Sequence, residues 1–133
     1  IGQDALVQPA SKSDIYRRSD IITIHTPLTP QTQHLINANT LEQMNSGVFI
    51  INTARGGIIQ LDDLANALKR NRVSGAALDA YDTEPPNHPI LKDPRIFCTP
   101  HIGGNSEEAI LAMGRSAIGH MQRYFVSFNK EMI

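Results

Sequence analysis

The stretch Val48-Phe49-Ile50-Ile51-Asn52-Thr53-Ala54-Arg55-Gly56-Gly57 decides the fold of this chain. Its first four residues are apolar and β-branched or aromatic, which is typical of a strand buried on both faces in a parallel sheet. Ligands of such sheets bind just outside the carboxyl ends of the strands, where Arg55 can bind a carboxylate through two charge-assisted hydrogen bonds. Gly56 and Gly57 allow the backbone to turn sharply and to approach a ligand closely.

Composition limits the classes of protein to which the chain can belong. Its 133 residues suit one domain, and a hydrophobic content of 41% is enough for a globular core. A net charge of −1 gives no basic face for nucleic acid. No apolar run reaches the length of a membrane span. The single cysteine, Cys98, favours a reducing, cytoplasmic compartment, and we expect it to be a small apolar residue on a buried strand.

Strands and helices alternate on both sides of the quoted stretch. The pattern predicts strands at 21–24, 48–52, 73–80 and 95–99, with a weaker signal at 5–7, and helices at 11–18, 38–44, 61–68 and 105–126. Ser11, Asn37 and Asn105 are the expected helix caps. Such alternation indicates right-handed crossovers and a parallel sheet that is covered by helices on both faces.

Polar side chains follow the predicted strands at His25, Arg55, Asp79 with Glu84, and His101. Each signal is weak when taken alone. A single histidine is more often a structural residue than a catalyst, and Arg55 or Glu84 could each be an ordinary solvated charge. The carboxyl ends of parallel strands meet at one edge of a sheet, however, and convergence at one edge is what a site requires.

Three of these residues make chemical sense together. A carboxylate such as Glu84 beside His101 would orient the imidazole and stabilise its charged form, which suits an acid–base catalyst. Arg55 would bind an anionic substrate and polarise its carbonyl. The three side chains could therefore exchange a proton with a hydroxyl next to a carboxylate. That is half of the oxidation of a 2-hydroxy acid, and the other half, hydride removal, needs a nicotinamide cofactor.

Other kinds of site find less support. The five histidines show no metal-ligand spacing, and one cysteine cannot build a thiolate zinc site, so we expect no metal. The sequence contains neither a G-x-S-x-G elbow nor a P-loop.

Five motifs occur in a fixed order along the chain: SDIITIHTPLTP at 19–30, NTARGG at 52–57, GAALD at 75–79, TEP at 83–85 and TPHIGG at 99–104. Through these motifs the chain resembles the D-2-hydroxyacid dehydrogenases, the family of D-3-phosphoglycerate, glycerate, hydroxypyruvate, D-lactate and formate dehydrogenases. The resemblance runs from about residue 4 to residue 125.

The resemblance implies a role for each site residue. Arg55 binds the substrate carboxylate and keto oxygen, Glu84 pairs with His101, and His101 is the general acid in reduction and the general base in oxidation. Asp79 contacts the nicotinamide carboxamide. Further cofactor contacts are implied for Thr53, Ala54, Arg55, His101, Ile102, Gly103 and Gly104, and, near the adenosine side, for His25, Thr26 and Pro27.

The family's G-x-G-x-x-G turn, its ribose-selecting acidic residue and nearly all of its substrate domain find no match in residues 1–133. We therefore expect an α/β fold, a partial Rossmann-like doubly wound and mainly parallel sheet with flanking helices that lacks the first βαβ unit. The chain would be the second half of a dinucleotide-binding domain, with the helix at 105–126 leading back to the substrate domain. The chain also begins at Ile1 rather than at methionine, so we expect a fragment of a longer protein.

The function implied is that of an NAD(P)-dependent oxidoreductase acting on the CH–OH group of a D-2-hydroxy acid, with NAD as the expected cofactor and NADP as the alternative. Two other functions stay open: a dinucleotide-sensing, corepressor-like binding protein, and a noncatalytic remnant of the same fold. Without the first βαβ unit, the strand at 21–24 would be an exposed apolar edge. We therefore expect homodimer formation, strand swapping or instability, with no membrane or nucleic-acid partner.

Overall fold

The computed structural model describes residues 7–131, with side chains up to residue 126. The chain forms two compact units that meet in sequence between Pro100 and His101. The predicted strand at 5–7 lies almost entirely outside the described residues.

The first unit is a four-stranded sheet with helical connections. Its strands are β1 (Ile21–Ile24), β2 (Val48–Asn52), β3 (Val73–Leu78) and β4 (Ile96–Cys98), and its helices are α1 (Lys12–Arg18), α2 (Ala38–Gln43) and α3 (Leu61–Lys69). Every strand pair is parallel and the order is β1-β2-β3-β4. The predicted parallel α/β fold is confirmed. The last two strands are shorter than expected, and the loop after β3 contains a 3₁₀ turn at Pro89–Lys92.

One face of this sheet carries the core. Because each crossover moves to the next strand in the same direction, with the same hand, the connecting helices all pack on one face. Ile22, Ile50, Ala76 and Ile96 pair across the sheet and are all buried there with the apolar residues of the three helices.

The opposite face differs from the prediction that the sheet is covered on both sides. Ile21, Phe49 and Phe97 are 61%, 50% and 68% exposed, respectively. An uninterrupted strand order allows helices on only one side, whereas helices on the second side require the order to reverse. The continuous apolar run of β2 does not by itself distinguish these two cases.

Cys98 is exposed, so the prediction of a buried thiol is wrong. The residue ends β4, which is an edge strand with only its first residue, Ile96, buried. The flanking sequence predicted the strand correctly but did not show that the strand lies at an edge.

The helix starts follow the sequence closely. The Ser11 hydroxyl accepts a hydrogen bond from Asp14 N at 3.1 Å at the start of α1. In α2 the Asn37 carboxamide accepts a bond from Thr40 N, and Thr40 Oγ1 accepts one from Asn37 N, which completes a capping box. The predicted caps Ser11 and Asn37 are confirmed.

The second unit contains the longest helix, α4 (Glu107–Glu131), after a 3₁₀ turn at Gly103–Asn105. Ser106 caps it: the Ser106 hydroxyl accepts a bond from Ala109 N at 3.2 Å. The predicted cap, Asn105, is therefore wrong by one residue, because Asn105 belongs to the preceding turn. Apolar residues of the predicted stripe are largely exposed: Ile110, Met113, Ile118, Met121 and Phe125.

Two arginines hold the ends of α2 and α3. The Arg72 guanidinium, half-buried, donates hydrogen bonds to three main-chain carbonyls at the end of α2: Leu41 O, Glu42 O and Met44 O. Leu41 O also accepts a bond from Met44 N at 3.3 Å, and the last carbonyls of a helix commonly need such donors from outside the helix. Arg95 donates to Leu68 O near the end of α3 at 2.7 Å. Arg95 also binds both oxygens of Asp93, which lowers the pKa of that carboxyl to about 2.

Replacing Arg72 by methionine should destabilise the chain, because the three carbonyls lose a charged donor while the apolar stem is kept. We expect the free energy of unfolding to fall by about 1–2 kcal/mol. Arg70→Met is the matched control, since Arg70 makes an exposed ion pair with Glu42, and it should change stability by less than about 0.5 kcal/mol. Urea denaturation followed by circular dichroism measures both. Equal effects of the two substitutions would contradict the role given to Arg72.

Candidate functional site

The four strands end at the same level of the sheet. Ile24 pairs with Asn52, Asn52 with Leu78, and Leu78 with Cys98. The next residue of each strand therefore emerges at one edge, and these residues are His25, Thr53, Asp79 and Thr99. This is the carboxyl edge, where parallel sheets bind their ligands.

A cavity of about 550 Å³ opens at this edge between the loops that follow β1 and β2. Its volume is in the range of small-molecule sites. It is lined by His25, Thr26, Pro27, Leu28, Thr53, Ala54 and Arg55. Two segments that the sequence assigned to one cofactor site, 25–27 and 53–55, therefore lie on one cavity although they are far apart in the chain.

Asn52 shapes the loop that carries Arg55. It is buried, with 1% of its surface exposed, and its carboxamide donates to Arg55 O at 2.8 Å and accepts from Ala54 N at 3.1 Å. The Asn52 carbonyl also accepts a bond from Asp79 N at 3.0 Å. A buried side chain with both of its functions paired fixes the course of the backbone, so Asn52 determines where Arg55 leaves the sheet.

The Arg55 side chain is exposed beside the cavity. Within the described residues its guanidinium makes one hydrogen bond, from Nη1 to Ala54 O at 2.7 Å. Its other N–H groups suit the binding of a carboxylate, because a guanidinium can donate hydrogen bonds to both carboxylate oxygens.

On the opposite wall, His25 contacts the strand from which it emerges. Its Nε2 atom lies 2.8 Å from the Thr23 hydroxyl. The side chain is exposed, and this contact fixes the ring at the mouth of the cavity.

Gly56 is needed for close approach of two main chains. A Cβ atom on Gly56 would lie 2.1 Å from the carbonyl carbon of Tyr81 and 2.3 Å from Asp82 N. The loop after β2 therefore packs directly on the loop after β3. The approach of a ligand to this glycine stays a prediction, and its close neighbour in the structure is protein backbone.

Asp79 and Thr99 join the ends of β3 and β4. The Thr99 hydroxyl donates to Asp79 Oδ1 at 2.5 Å, and Thr99 N donates to Leu78 O at 3.1 Å. The Asp79 carboxylate is therefore held at the carboxyl edge, where the resemblance expects it to meet a nicotinamide.

Glu84 lies on a second cavity of the first unit, of about 410 Å³. The walls of this cavity are Tyr81, Pro85, Pro86, Cys98, Thr99 and Pro100. Arg55 and Glu84 thus line separate cavities, although the loops that carry them pack on each other where Gly56 contacts the Tyr81 backbone.

His101, Ile102, Gly103 and Gly104 belong to the second unit, where they form the turn before α4. His101 has a φ of 54°, in the left-handed region that side chains other than glycine adopt infrequently. Residues in such conformations cluster at functional sites. The pairing of His101 with Glu84 stays a prediction.

Sequence reasoning missed Asn52 and Thr99 as organising residues. An asparagine directly before a loop often binds the backbone two or three residues further on, and this signal could have identified Asn52. The contact between Thr99 and Asp79 depends on the register of β3 and β4, for which the sequence offers no local signal.

Two further findings apply to the part of the chain that the structure describes. No group of three or more histidine, cysteine, aspartate or glutamate side chains could hold a metal ion. No helix combines the length and the apolar character that crossing a membrane requires.

Residues 2–103 match the family model described as D-isomer specific 2-hydroxyacid dehydrogenase, NAD binding domain. The chain is 42% identical over 105 residues to a glyoxylate reductase of Thermofilum pendens, covering 77% of this chain and 31% of that protein. It is 43% identical over 99 residues to a D-3-phosphoglycerate dehydrogenase of Bacillus subtilis, covering 74% and 19%.

A crystal structure of a glyoxylate reductase from Paecilomyes thermophila superposes with a TM-score of 0.80 at 32% identity. The match covers 85% of this chain and 35% of that one. The chain therefore spans about a third or less of the length of these relatives.

Alanine at Gly56 should disrupt the packing of the two loops, since its Cβ would overlap main-chain atoms that cannot rotate away. We expect a loss of about 2–3 kcal/mol in unfolding free energy. Gly57→Ala is the control, because its nearest neighbours are side-chain atoms at 3.3 Å, and it should cost less than about 1 kcal/mol. Chemical denaturation of both variants tests this, and a well-tolerated Gly56→Ala would show that the loops do not pack as described.

Proposed function

The chain belongs to the D-isomer specific 2-hydroxyacid dehydrogenases, whose NAD-binding domain it matches, and we propose that it is part of an NAD(P)-dependent oxidoreductase that interconverts a D-2-hydroxy acid and its 2-keto acid. The observation that carries this proposal is the position of Arg55. Its guanidinium stands at the carboxyl edge of a parallel sheet, on a cavity of about 550 Å³ shared with the loop after β1.

The residues of this edge fit a dinucleotide. The cavity combines apolar walls, from Pro27, Leu28 and Ala54, with polar groups of His25, Thr26 and Thr53. Such a mixture suits a ligand that has flat rings and many hydroxyls. We propose that His25, Thr26, Pro27, Thr53 and Ala54 hold NAD, with NADP as the alternative, and that Asp79 and the turn His101, Ile102, Gly103 and Gly104 complete the cofactor site.

The chain's own side chains would handle the acid and the proton. Arg55 binds the substrate carboxylate through paired N–H groups and orients the neighbouring carbon. The His101 imidazole takes the proton of the substrate hydroxyl during oxidation and returns it during reduction. Glu84, by pairing with His101, keeps the imidazole oriented and stabilises its charged form. NAD, when bound, supplies the acceptor for the hydride from the substrate carbon.

We also propose that the chain is the second half of a dinucleotide-binding domain that works with a separate substrate domain. The support is that its relatives are about three or more times as long as the segment that matches. The substrate domain would select the acid, and Arg55 would bind the carboxylate that 2-hydroxy acids share.

Substitutions at His101 and Arg55 test the proposal in the longer protein that contains this chain. His101→Ala should lower kcat about 100-fold or more, because the proton acceptor is lost, and leave the Kd for NADH unchanged. Arg55→Ala should raise KM for the keto acid by about 10- to 100-fold, since a charge-assisted pair is lost. Stopped-flow kinetics and fluorescence titration of NADH measure these quantities.

Arg17→Ala is the control, since Arg17 forms an exposed ion pair on α1, and it should change neither constant. Arg55→Lys keeps the positive charge but loses the paired N–H donors of the guanidinium, so its KM should lie between those of the wild type and Arg55→Ala. Normal kinetics of both site variants would contradict the assigned roles. Dinucleotide binding without turnover of any 2-keto acid would instead identify a dinucleotide-sensing binding protein.

We propose, in addition, that the protein is cytoplasmic and that residues 1–133 on their own form a homodimer. Cys98 is an exposed free thiol, which suits a reducing compartment. β1 lies at the edge of the sheet, pairs only with β2 among the described strands, and carries the exposed side chain of Ile21. Such an edge is a template for pairing with a second copy.

A charge at the β1 edge should weaken this association. Ile21→Lys should raise the dimer dissociation constant at least about tenfold, because a lysine on an edge strand disfavours pairing with a second strand. Ser13→Lys, on the exposed face of α1, should have no effect. Sedimentation velocity across a concentration series gives both constants, and a monomeric wild-type chain throughout that series would refute the dimer.

A further inference from the structure

Tyr81 joins the ends of β3 and β4 through its hydroxyl group. The phenol oxygen lies 2.8 Å from Leu78 O and 2.8 Å from Thr99 O, so its single proton is shared between two carbonyls. Leu78 O also accepts the bond from Thr99 N at 3.1 Å. The hydroxyl therefore strengthens the last rung of the β3–β4 ladder at the carboxyl edge.

The same residue also contacts the end of β2. Its carbonyl carbon fills the space that a side chain on Gly56 would occupy. Its ring, half-buried, packs against the apolar core of the first unit. Tyr81 thus touches the loops that leave β2, β3 and β4.

The groups of the proposed site lie within a few residues of these contacts. Asp79 is two residues before Tyr81, and its carboxylate accepts the bond from the Thr99 hydroxyl. Glu84 is three residues after Tyr81, and Thr99 is two residues before His101. Burial of the phenol, with a smaller effect of the Cys98 thiol, raises the pKa of Tyr81 to about 12, so the hydroxyl keeps its proton at neutral pH.

We propose that Tyr81 is a positioning residue: its hydroxyl fixes the separation of the β3 and β4 ends and thereby the place of the Asp79 carboxylate and of the segment that leads to His101. This inference rests on the proposed dehydrogenase function. Tyr81 acts through Asp79 and Thr99 and touches no reacting atom. Arg55 lies in the loop after β2, and the Asn52 carboxamide binds the backbone of that loop. The binding of the acid should therefore not depend on the Tyr81 hydroxyl.

Hydrogen exchange of single amides in this chain tests whether the Tyr81 hydroxyl holds the ends of β3 and β4 together. Tyr81→Phe removes the hydroxyl and keeps the ring, so exchange at Thr99 N should become at least fivefold faster. Exchange at Phe49 N, which donates to Asp20 O beside β1, should stay unchanged. Tyr16→Phe, a buried tyrosine on α1, is the control and should leave Thr99 unaffected. Unchanged exchange at Thr99 in Tyr81→Phe would overturn the inference.

Kinetics of the longer protein test whether Tyr81 positions the Asp79 carboxylate for the reaction. Tyr81→Phe should lower kcat about tenfold, because Asp79 would no longer hold the nicotinamide in its reactive orientation, and should leave KM for the keto acid within about twofold. Thr99→Val removes the bond to Asp79 by a nearly isosteric change and should lower kcat similarly. The rate is expressed per NADH-binding site, because a merely structural role would only reduce the fraction of folded enzyme, which lowers the apparent kcat at constant KM and leaves kcat per binding site unchanged.

The outcomes separate the two claims. Faster exchange at Thr99 with normal kcat in both variants would overturn the positioning role. If the wild-type protein turned over no 2-keto acid, the proposed function would fail, and the exchange at Thr99 would still decide whether the hydroxyl holds the strand ends.

Discussion

The shared register of four parallel strands is the constraint on which the site depends. Ile24, Asn52, Leu78 and Cys98 are neighbours across the sheet, so the chain leaves the sheet four times at one level. A shift of one strand by one residue would exchange its buried and exposed side chains and would move its loop along the edge. The burial of Ile22, Ile50, Ala76 and Ile96 on one face therefore fixes the positions of the polar residues above them.

Fixed strand ends are not sufficient, because loops bend freely unless their backbones are bound. Here the binding is done by few groups: the Asn52 carboxamide in the loop of Arg55, the Thr99 hydroxyl on Asp79, and the contact of Gly56 with Tyr81. None of these groups lines the cavity of about 550 Å³. The side chains that face the cavity, such as Arg55 and His25, are exposed and make few contacts, which suits groups that must exchange water for a ligand.

The sequence predicted what local patterns encode. Apolar runs and caps such as Ser11 and Asn37 identified the elements, and the motifs around Arg55 and His101 identified the family. It did not predict properties that arise between distant segments. Cys98 was assigned to the interior because its neighbours are apolar, but edge position depends on which strands pair. Nor did the sequence indicate that the small size of Gly56 accommodates the backbone of Tyr81, 25 residues further along the chain.

The uninterrupted strand order also bears on how the chain folds. Each strand pairs with the next one in sequence, and paired residues such as Ile50 and Ala76 are separated by about 20 to 30 positions. Because the entropy of loop closure grows with loop length, pairing neighbouring strands costs less than pairing strands that lie further apart in the chain. The sheet can grow one strand at a time during synthesis, with each new strand joining the edge that the previous one has just presented.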